Sequence, residues 1–243
     1  MKYSGGKSRS ARRIAEVIRA ERGRRGVLIS PFVGGAAVET RLAGDFGQML
    51  LCDLSPDLIL LWQAVLGGWL PHPICEREYE SLRDQAPSAL RGFAGFGCTF
   101  GGKWFGGYGR NSPAQAHRNG GALTAAEQSV RVLARDQKRL SGTRVTARCC
   151  DYRDLSGDVM AGAGDVVVYA DPPYFGTLGY AATGAFCHET FWQVMREWTA
   201  LGALVFVSEE TAPPDWTCVW SADVAGSMDR KDSRRVEKLF RHH

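Results

Sequence analysis

Short runs of consecutive apolar residues alternate along this chain with stretches whose apolar positions recur every three to four residues, the patterns of buried strands and amphipathic helices. Ile14, Val17 and Ile18 recur at helical spacing behind Ser8 and Ser10, either of which can cap the segment, and Gly23 or Gly26 ends it. Val27-Leu28-Ile29-Ser30 reads as a short buried strand, helical signal resumes over 36–42, and Met49-Leu50-Leu51-Cys52-Asp53 reads as a second buried strand. Strand, helix and strand in that order imply a right-handed parallel unit. Helices are expected over 54–66 and 76–86, separated by the break Gly67-Gly68-Trp69-Leu70-Pro71. From Arg91 to Asn119 the helical period is lost among clustered glycine, aromatic and basic residues, which predicts loop and hairpin structure. A basic helix over 124–140, strands over 144–149 and 166–170, a helix over 191–201 and a buried strand over 204–208 follow, with weaker strands at 217–221 and 236–240. There is no internal repeat and no low-complexity linker.

Composition narrows the class. A chain of 243 residues, 44% hydrophobic and 23% charged, can bury one large core or one core plus a small insert. No run approaches the roughly 18 apolar residues of a membrane span, and the amino terminus has charges without an apolar h-region, so a cytoplasmic protein without membrane contact is expected. Seven cysteines include no Cys-x-x-Cys pair, and His72 with Cys75 lacks a second pair, so reduced thiols and no metal are expected. The net charge of +4 hides a segregation: residues 1–25 carry nine Lys or Arg against two acids, and residues 91–148 carry ten against two. Basic charge gathered in this way suits a polyanion partner.

The candidate chemistry begins where the apolar run Val166-Val167-Val168-Tyr169-Ala170 meets Asp171-Pro172-Pro173-Tyr174. The exocyclic amino group of a nucleic-acid base is a poor nucleophile, because its lone pair is delocalised into the ring. A catalyst must accept hydrogen bonds from both amino protons to concentrate electron density on the nitrogen. Asp171 supplies one acceptor and the Pro172 carbonyl another, while Pro172 and Pro173 fix φ and remove two N–H donors that would tie this stretch into a ladder. Tyr174 would stack on an extruded base. The set suits methyl transfer to such an amino group.

Pro31-Phe32-Val33-Gly34-Gly35-Ala36-Ala37-Val38-Glu39 is a glycine-bearing turn between the first strand and its helix, and Asp53 ends the next strand nineteen residues after Gly34, where an acid can accept from a ribose diol. These features fit NAD or S-adenosylmethionine. A pyrophosphate cofactor asks for Gly-x-Gly-x-x-Gly, which is absent here, so the phosphate-free S-adenosylmethionine is favoured. Ser4-Gly5-Gly6-Lys7-Ser8 looks like the end of a phosphate-binding loop but has no strand before it. Lys7 is better placed to meet the methionine carboxylate of the cofactor, with Tyr3 packing beside it. Asp151 can accept from the cofactor's adenine amino group while Tyr152 stacks on its ring.

Taken in order, these motifs resemble the Dam-like DNA adenine-N6 methyltransferases, the D12 class of the Asp-Pro-Pro-Tyr type. Tyr3-Ser4-Gly5-Gly6-Lys7 is similar to the family's amino-terminal cofactor motif, Pro31-Phe32-Val33-Gly34-Gly35 to its glycine turn, Asp53 to its ribose acid, Asp151-Tyr152 to its adenine contact and Asp171 to Tyr174 to its catalytic tetrapeptide. Ala36 stands where the family commonly has a second spaced glycine. The resemblance implies an α/β, Rossmann-like S-adenosylmethionine-dependent methyltransferase fold, a largely parallel seven-stranded sheet with an inserted target-recognition region. Residues 1–60 and 141–243 would form the catalytic domain and 61–140 the insert.

Within the insert, the stretch from Phe96 to Asn111 interleaves aromatics and cations among glycines. Lys103 and Arg110 are candidates for phosphate contacts, Trp104 or Tyr108 for filling the space left by a flipped base, and Asn111 for reading a base edge. The competing reading is a glycine-rich hairpin whose aromatics pack inward. The expected activity is site-specific methylation of adenine N6 in double-stranded DNA, in a bacterial or phage-infected cell, without an obligate protein partner. Cytosine N4, an RNA adenine and an inactive DNA-binding relative remain as alternatives. Cytosine C5 is disfavoured, since it needs a thiolate, typically in a Pro-Cys context, and the chain has no Pro-Cys dipeptide.

Overall fold

A computed structural model describes residues 1, 3–110, 124–174, 186–225 and 234–242. Strands β1 (Val27–Ser30), β2 (Gln48–Asp53), β3 (Arg144–Cys149), β4 (Val166–Ala170) and β5 (Leu204–Glu209) run parallel, and β7 (Arg234–His242) inserts antiparallel between β5 and β6 (Trp216–Ala225). The order β3-β2-β1-β4-β5-β7-β6 is the largely parallel, Rossmann-like seven-stranded sheet that the resemblance implied. Each central strand is buried on both faces, so its residues divide between two cores. Val167 and Tyr169 join Leu28, Met49 and Leu51 on one face. Val166, Val168 and Ala170 join Ile29, Leu50 and Cys52 on the other. Strands covered on both faces read as unbroken apolar runs, which is why β1, β2 and β4 were evident from composition alone.

The first core is covered by α1 (Ala11–Glu21), α2 (Glu39–Leu42), α3 (Pro56–Leu66), α4 (Glu76–Leu82), α5 (Ala89–Gly92) and α6 (Ala125–Leu140), and the second by α7 (Ser156–Ala161) and α8 (His188–Ala200). Ser55 caps α3 by accepting from the Leu58 amide, with Pro56 in its first turn, so Leu54 stays outside the helix. Thr124 and Glu127 form a capping box that starts α6. The helix expected from residue 36 begins only at Glu39, because Ala36 takes a φ of 52° and cannot start a right-handed helix. That left-handed geometry is what a glycine would adopt without strain.

The expectation of loop and hairpin from Arg91 onward is corrected in its first part. Helix α5 continues into a π-helical turn over Phe93–Gly97, and among the described residues of the stretch a hairpin-like bridge forms between Thr99 and Tyr108. Gly92 lacks a side chain where this segment packs tightly on α3: a Cβ there would lie 2.3 Å from the Asp57 carbonyl oxygen. Phe93, Ala94 and Phe96 are buried in the first core together with Leu61, Trp62 and Leu133, so among the described residues the 61–140 segment shares its core with the sheet. Among the same residues no helix is long and apolar enough to cross a membrane.

Candidate active site

The order of strands reverses between β1 and β4, and the carboxyl ends of β1, β2, β3 and β4 open there into a cavity of about 640 Å³. Such a switch point is where open α/β sheets bind ligands, and the volume suits a nucleoside-sized group. Its wall brings together residues far apart in sequence: Tyr3, Lys7, Phe32, Gly34, Gly35, Asp53, Asp151, Tyr152, Asp171, Pro172, Pro173 and Tyr174, with Lys103 and Trp104 at the same cavity. Tyr108 and Arg110 do not border it, and Asn111 lies outside the described residues.

The amino-terminal motif lies directly on the glycine turn. Gly34 has a φ of 47°, and a Cβ there would sit 3.0 Å from the Tyr3 ring, while one on Gly35 would come within 3.0 Å of the Tyr3 Cβ. The absence of side chains at this turn therefore serves the packing of Tyr3 as well as any ligand. Asp53 is clamped by backbone: its two carboxylate oxygens accept from the amides of Gly34 and Ser55, each at 3.1 Å. Burial pushes its carboxyl above the usual range, against these hydrogen bonds, which favour the charged form. Phe32 packs at 5.4 Å from the Tyr152 ring, and Phe186 and Phe191 close an aromatic group around both.

Two of the candidate cofactor residues have protein partners in the cavity wall. Lys7, expected at a cofactor carboxylate, is buried and places Nζ 2.5 Å from Asp171 Oδ1 and 4.6 Å from the centre of the Tyr174 ring. Asp151 turns its carboxylate to Arg153, whose side chain and backbone N–H donate at 2.8 to 2.9 Å, and this holds its carboxyl below the usual range.

The recognition candidates divide as well. Trp104 is half-buried, its ring tilted against Phe96 at 4.6 Å with the Arg91 guanidinium 5.0 Å over it. Tyr108 gives its hydroxyl to the Ile74 carbonyl, and Arg110 pairs with Glu76. Lys103 is exposed. The exposed aromatic of this stretch is Phe100, 70% accessible, in a turn whose Gly102 packs on Tyr3 and accepts the Ser4 amide at 3.1 Å.

Among the cavity residues given no role from the sequence are Arg153, Phe186 and Glu39. Arg153 and Phe186 carried no signal beyond their type. Glu39, 2% exposed, was marked by being an acid among the apolar residues that follow the glycine turn.

No curated protein matches the chain. Two solved structures of an rRNA methyltransferase from Streptomyces viridochromogenes are each 16% identical to it. One covers 95% of this chain and 84% of its own with a TM-score of 0.45, and the other 98% and 86% with 0.46. Residues 3–90, a span holding the amino-terminal motif, the glycine turn and Asp53, match the model of the D12 class N6 adenine-specific DNA methyltransferases, the family that the order of the motifs resembles.

Proposed function

We propose that this protein transfers a methyl group from S-adenosylmethionine to N6 of adenine in double-stranded DNA. The observation that carries the reading is the Asp171 carboxylate at the end of β4, held by buried Lys7 in the same cavity as the glycine turn and Asp53. The residues fit the cofactor: Asp53 for the ribose, the Phe32 and Tyr152 rings for the adenine, and the turn at Gly34 and Gly35 for close backbone approach. When bound, S-adenosylmethionine supplies an electrophilic methyl on a sulfonium. Asp171 accepts a hydrogen bond from the amino group, the Pro172 carbonyl accepts the second, and Tyr174 flanks the base. Lys7 fixes the carboxylate through its Oδ1 and acts as a positioning residue.

Incubation with methyl-labelled S-adenosylmethionine and either mixed-sequence duplex DNA or transcribed RNA, followed by digestion to nucleosides, tests the reading. Label in N6-methyldeoxyadenosine is the expected result. Label on cytosine, on RNA alone, or on neither nucleic acid overturns it.

The turn holding Phe100, which meets the cavity through Lys103, sets an expectation for the duplex. Phe100 stands beside exposed Lys103 on a turn anchored to the amino-terminal motif, so it is the aromatic positioned to enter the base stack when adenine is extruded, a step costing a few kcal/mol. Phe100→Ala is expected to slow methylation of duplex more than of single-stranded substrate, with stability within about 0.5 kcal/mol of wild type because the ring is exposed. Lys103→Ala is expected to lower the slope of log affinity against log salt by about one. Equal slowing on both substrates would remove Phe100 from extrusion.

A further inference from the structure

We infer that Glu39 is the group that distinguishes the cationic cofactor from its neutral thioether product, a carboxylate placed in the cavity to meet the sulfonium charge. The inference rests on the cofactor reading above. Glu39 borders the cavity yet is almost wholly buried, and its Oε1 accepts from the Ser30 hydroxyl at 2.7 Å. Among the described residues no basic side chain pairs with it. Lys7, the buried cation of the same wall, is engaged by Asp171.

The surroundings of Glu39 supply little positive charge. Ser30 of β1 is neutral, and β4 with its extension contributes Tyr169 and Asp171, whose negative charge opposes ionisation of Glu39. The Met1 amino group lies within electrostatic reach but pairs with Asp136 of α6, next to Arg135. Burial, reinforced by Asp171, raises the Glu39 carboxyl from 4.5 to about 7, against the hydrogen bonds from Ser30 and backbone. Buried without a basic partner, the carboxyl is neutralised by its proton, and a cation brought beside it favours the ionised form. Methyl transfer requires the reacting sulfur to lie beside the amino group that Asp171 holds, so the sulfonium brings a positive charge to this end of the cavity. After transfer the sulfur is an uncharged thioether, and the attraction is gone.

The sign of the pH dependence follows. Below about 7 Glu39 carries a proton; a cation beside it favours the ionised form, so binding releases that proton and strengthens as pH rises. A neutral ligand gains nothing in this way. If the cation lowers the carboxyl's pKa by about one pH unit, preference for S-adenosylmethionine over S-adenosylhomocysteine should rise about fivefold between roughly pH 6 and 8. The two ligands share their amino, carboxyl and adenosine groups, so the comparison isolates the sulfur. In the unliganded protein the raised carboxyl makes folding take up a proton between 4.5 and about 7, so stability falls as pH rises through that window.

Calorimetric titration of wild type and Glu39→Gln with each ligand over this pH range, in buffers of different ionisation heat, tests the inference. Wild type should gain preference for S-adenosylmethionine with pH and release more protons on binding it than on binding S-adenosylhomocysteine. Glu39→Gln should show a pH-independent preference, with a thermal transition less dependent on pH than that of wild type. Equal pH dependence for the two ligands in wild type, or the same rising preference in Glu39→Gln, overturns the role of Glu39 while leaving the cofactor reading intact. Failure of both ligands to bind wild type at any pH overturns that reading and the inference with it.

Discussion

Asp171→Ala is expected to reduce methylation by several orders of magnitude while binding of duplex DNA persists. Two losses combine. The amino group loses a charged acceptor, worth about 1.5 to 3 kcal/mol as a single hydrogen bond. Lys7, stripped of its partner at 2.5 Å, then faces the nitrogen on which positive charge accumulates as the methyl arrives. A misplaced charge in a water-poor site is felt far more strongly than in solution, so the product of the two effects exceeds either alone. Asp171→Asn separates them, since it keeps an acceptor oxygen but not the charge, and should fall between Ala and wild type. Single-turnover rates measured beside DNA affinity check the expectation. An Ala variant with near wild-type rates would remove Asp171 from the chemistry.

The parts of the molecule legible in the sequence are those whose pattern has one physical explanation. An unbroken apolar run such as Val166 to Ala170 fits a strand covered on both faces, and its end at Asp171 fits the edge where ligands bind. The cavity assembled from Tyr3, Gly34, Asp53, Asp151 and Asp171 was readable because each stands just before or after such a strand, or in a motif whose family order is fixed. Around Gly92 and Phe93 the pattern was ambiguous. Glycine beside aromatics describes an exposed hairpin and a close helix contact equally well, and only the approach of Gly92 to Asp57 decides between them. The aromatics after it illustrate the same limit: Trp104 and Tyr108 found protein partners in Phe96 and Ile74, and exposure passed to Phe100. Pairings such as Lys7 with Asp171, 164 residues apart, leave no trace in spacing.

That pairing sets the second large effect. Lys7→Met keeps most of the length of the side chain and removes its charge, leaving the Asp171 carboxylate, within electrostatic reach of Glu39, with no cation from residue 7. Breaking a buried ion pair costs on the order of 3 to 5 kcal/mol if the remaining charge stays ionised. Asp171 is 19% exposed, so the lower end of that range applies, and protonation offers a cheaper escape. Loss of an adjacent cation moves a carboxyl pKa upward by about one to three pH units. Since the protonated acid no longer accepts from the amino group through a full charge, the acid limb of the rate profile should move to higher pH by the same amount. On the acid limb, at pH below the wild-type midpoint, activity should then fall on the order of tenfold to a thousandfold and recover as pH rises. A merely structural role predicts something else, a uniform loss across pH that tracks the folded fraction. Lys7→Arg, which restores charge but not the compact ammonium over Tyr174, should return the acid limb toward its wild-type position even if the maximal rate stays low. Rate profiles of the three proteins from about pH 5.5 to 9.5 would check this, and an unshifted acid limb in Lys7→Met would show that the ion pair holds Asp171 in place without setting its charge.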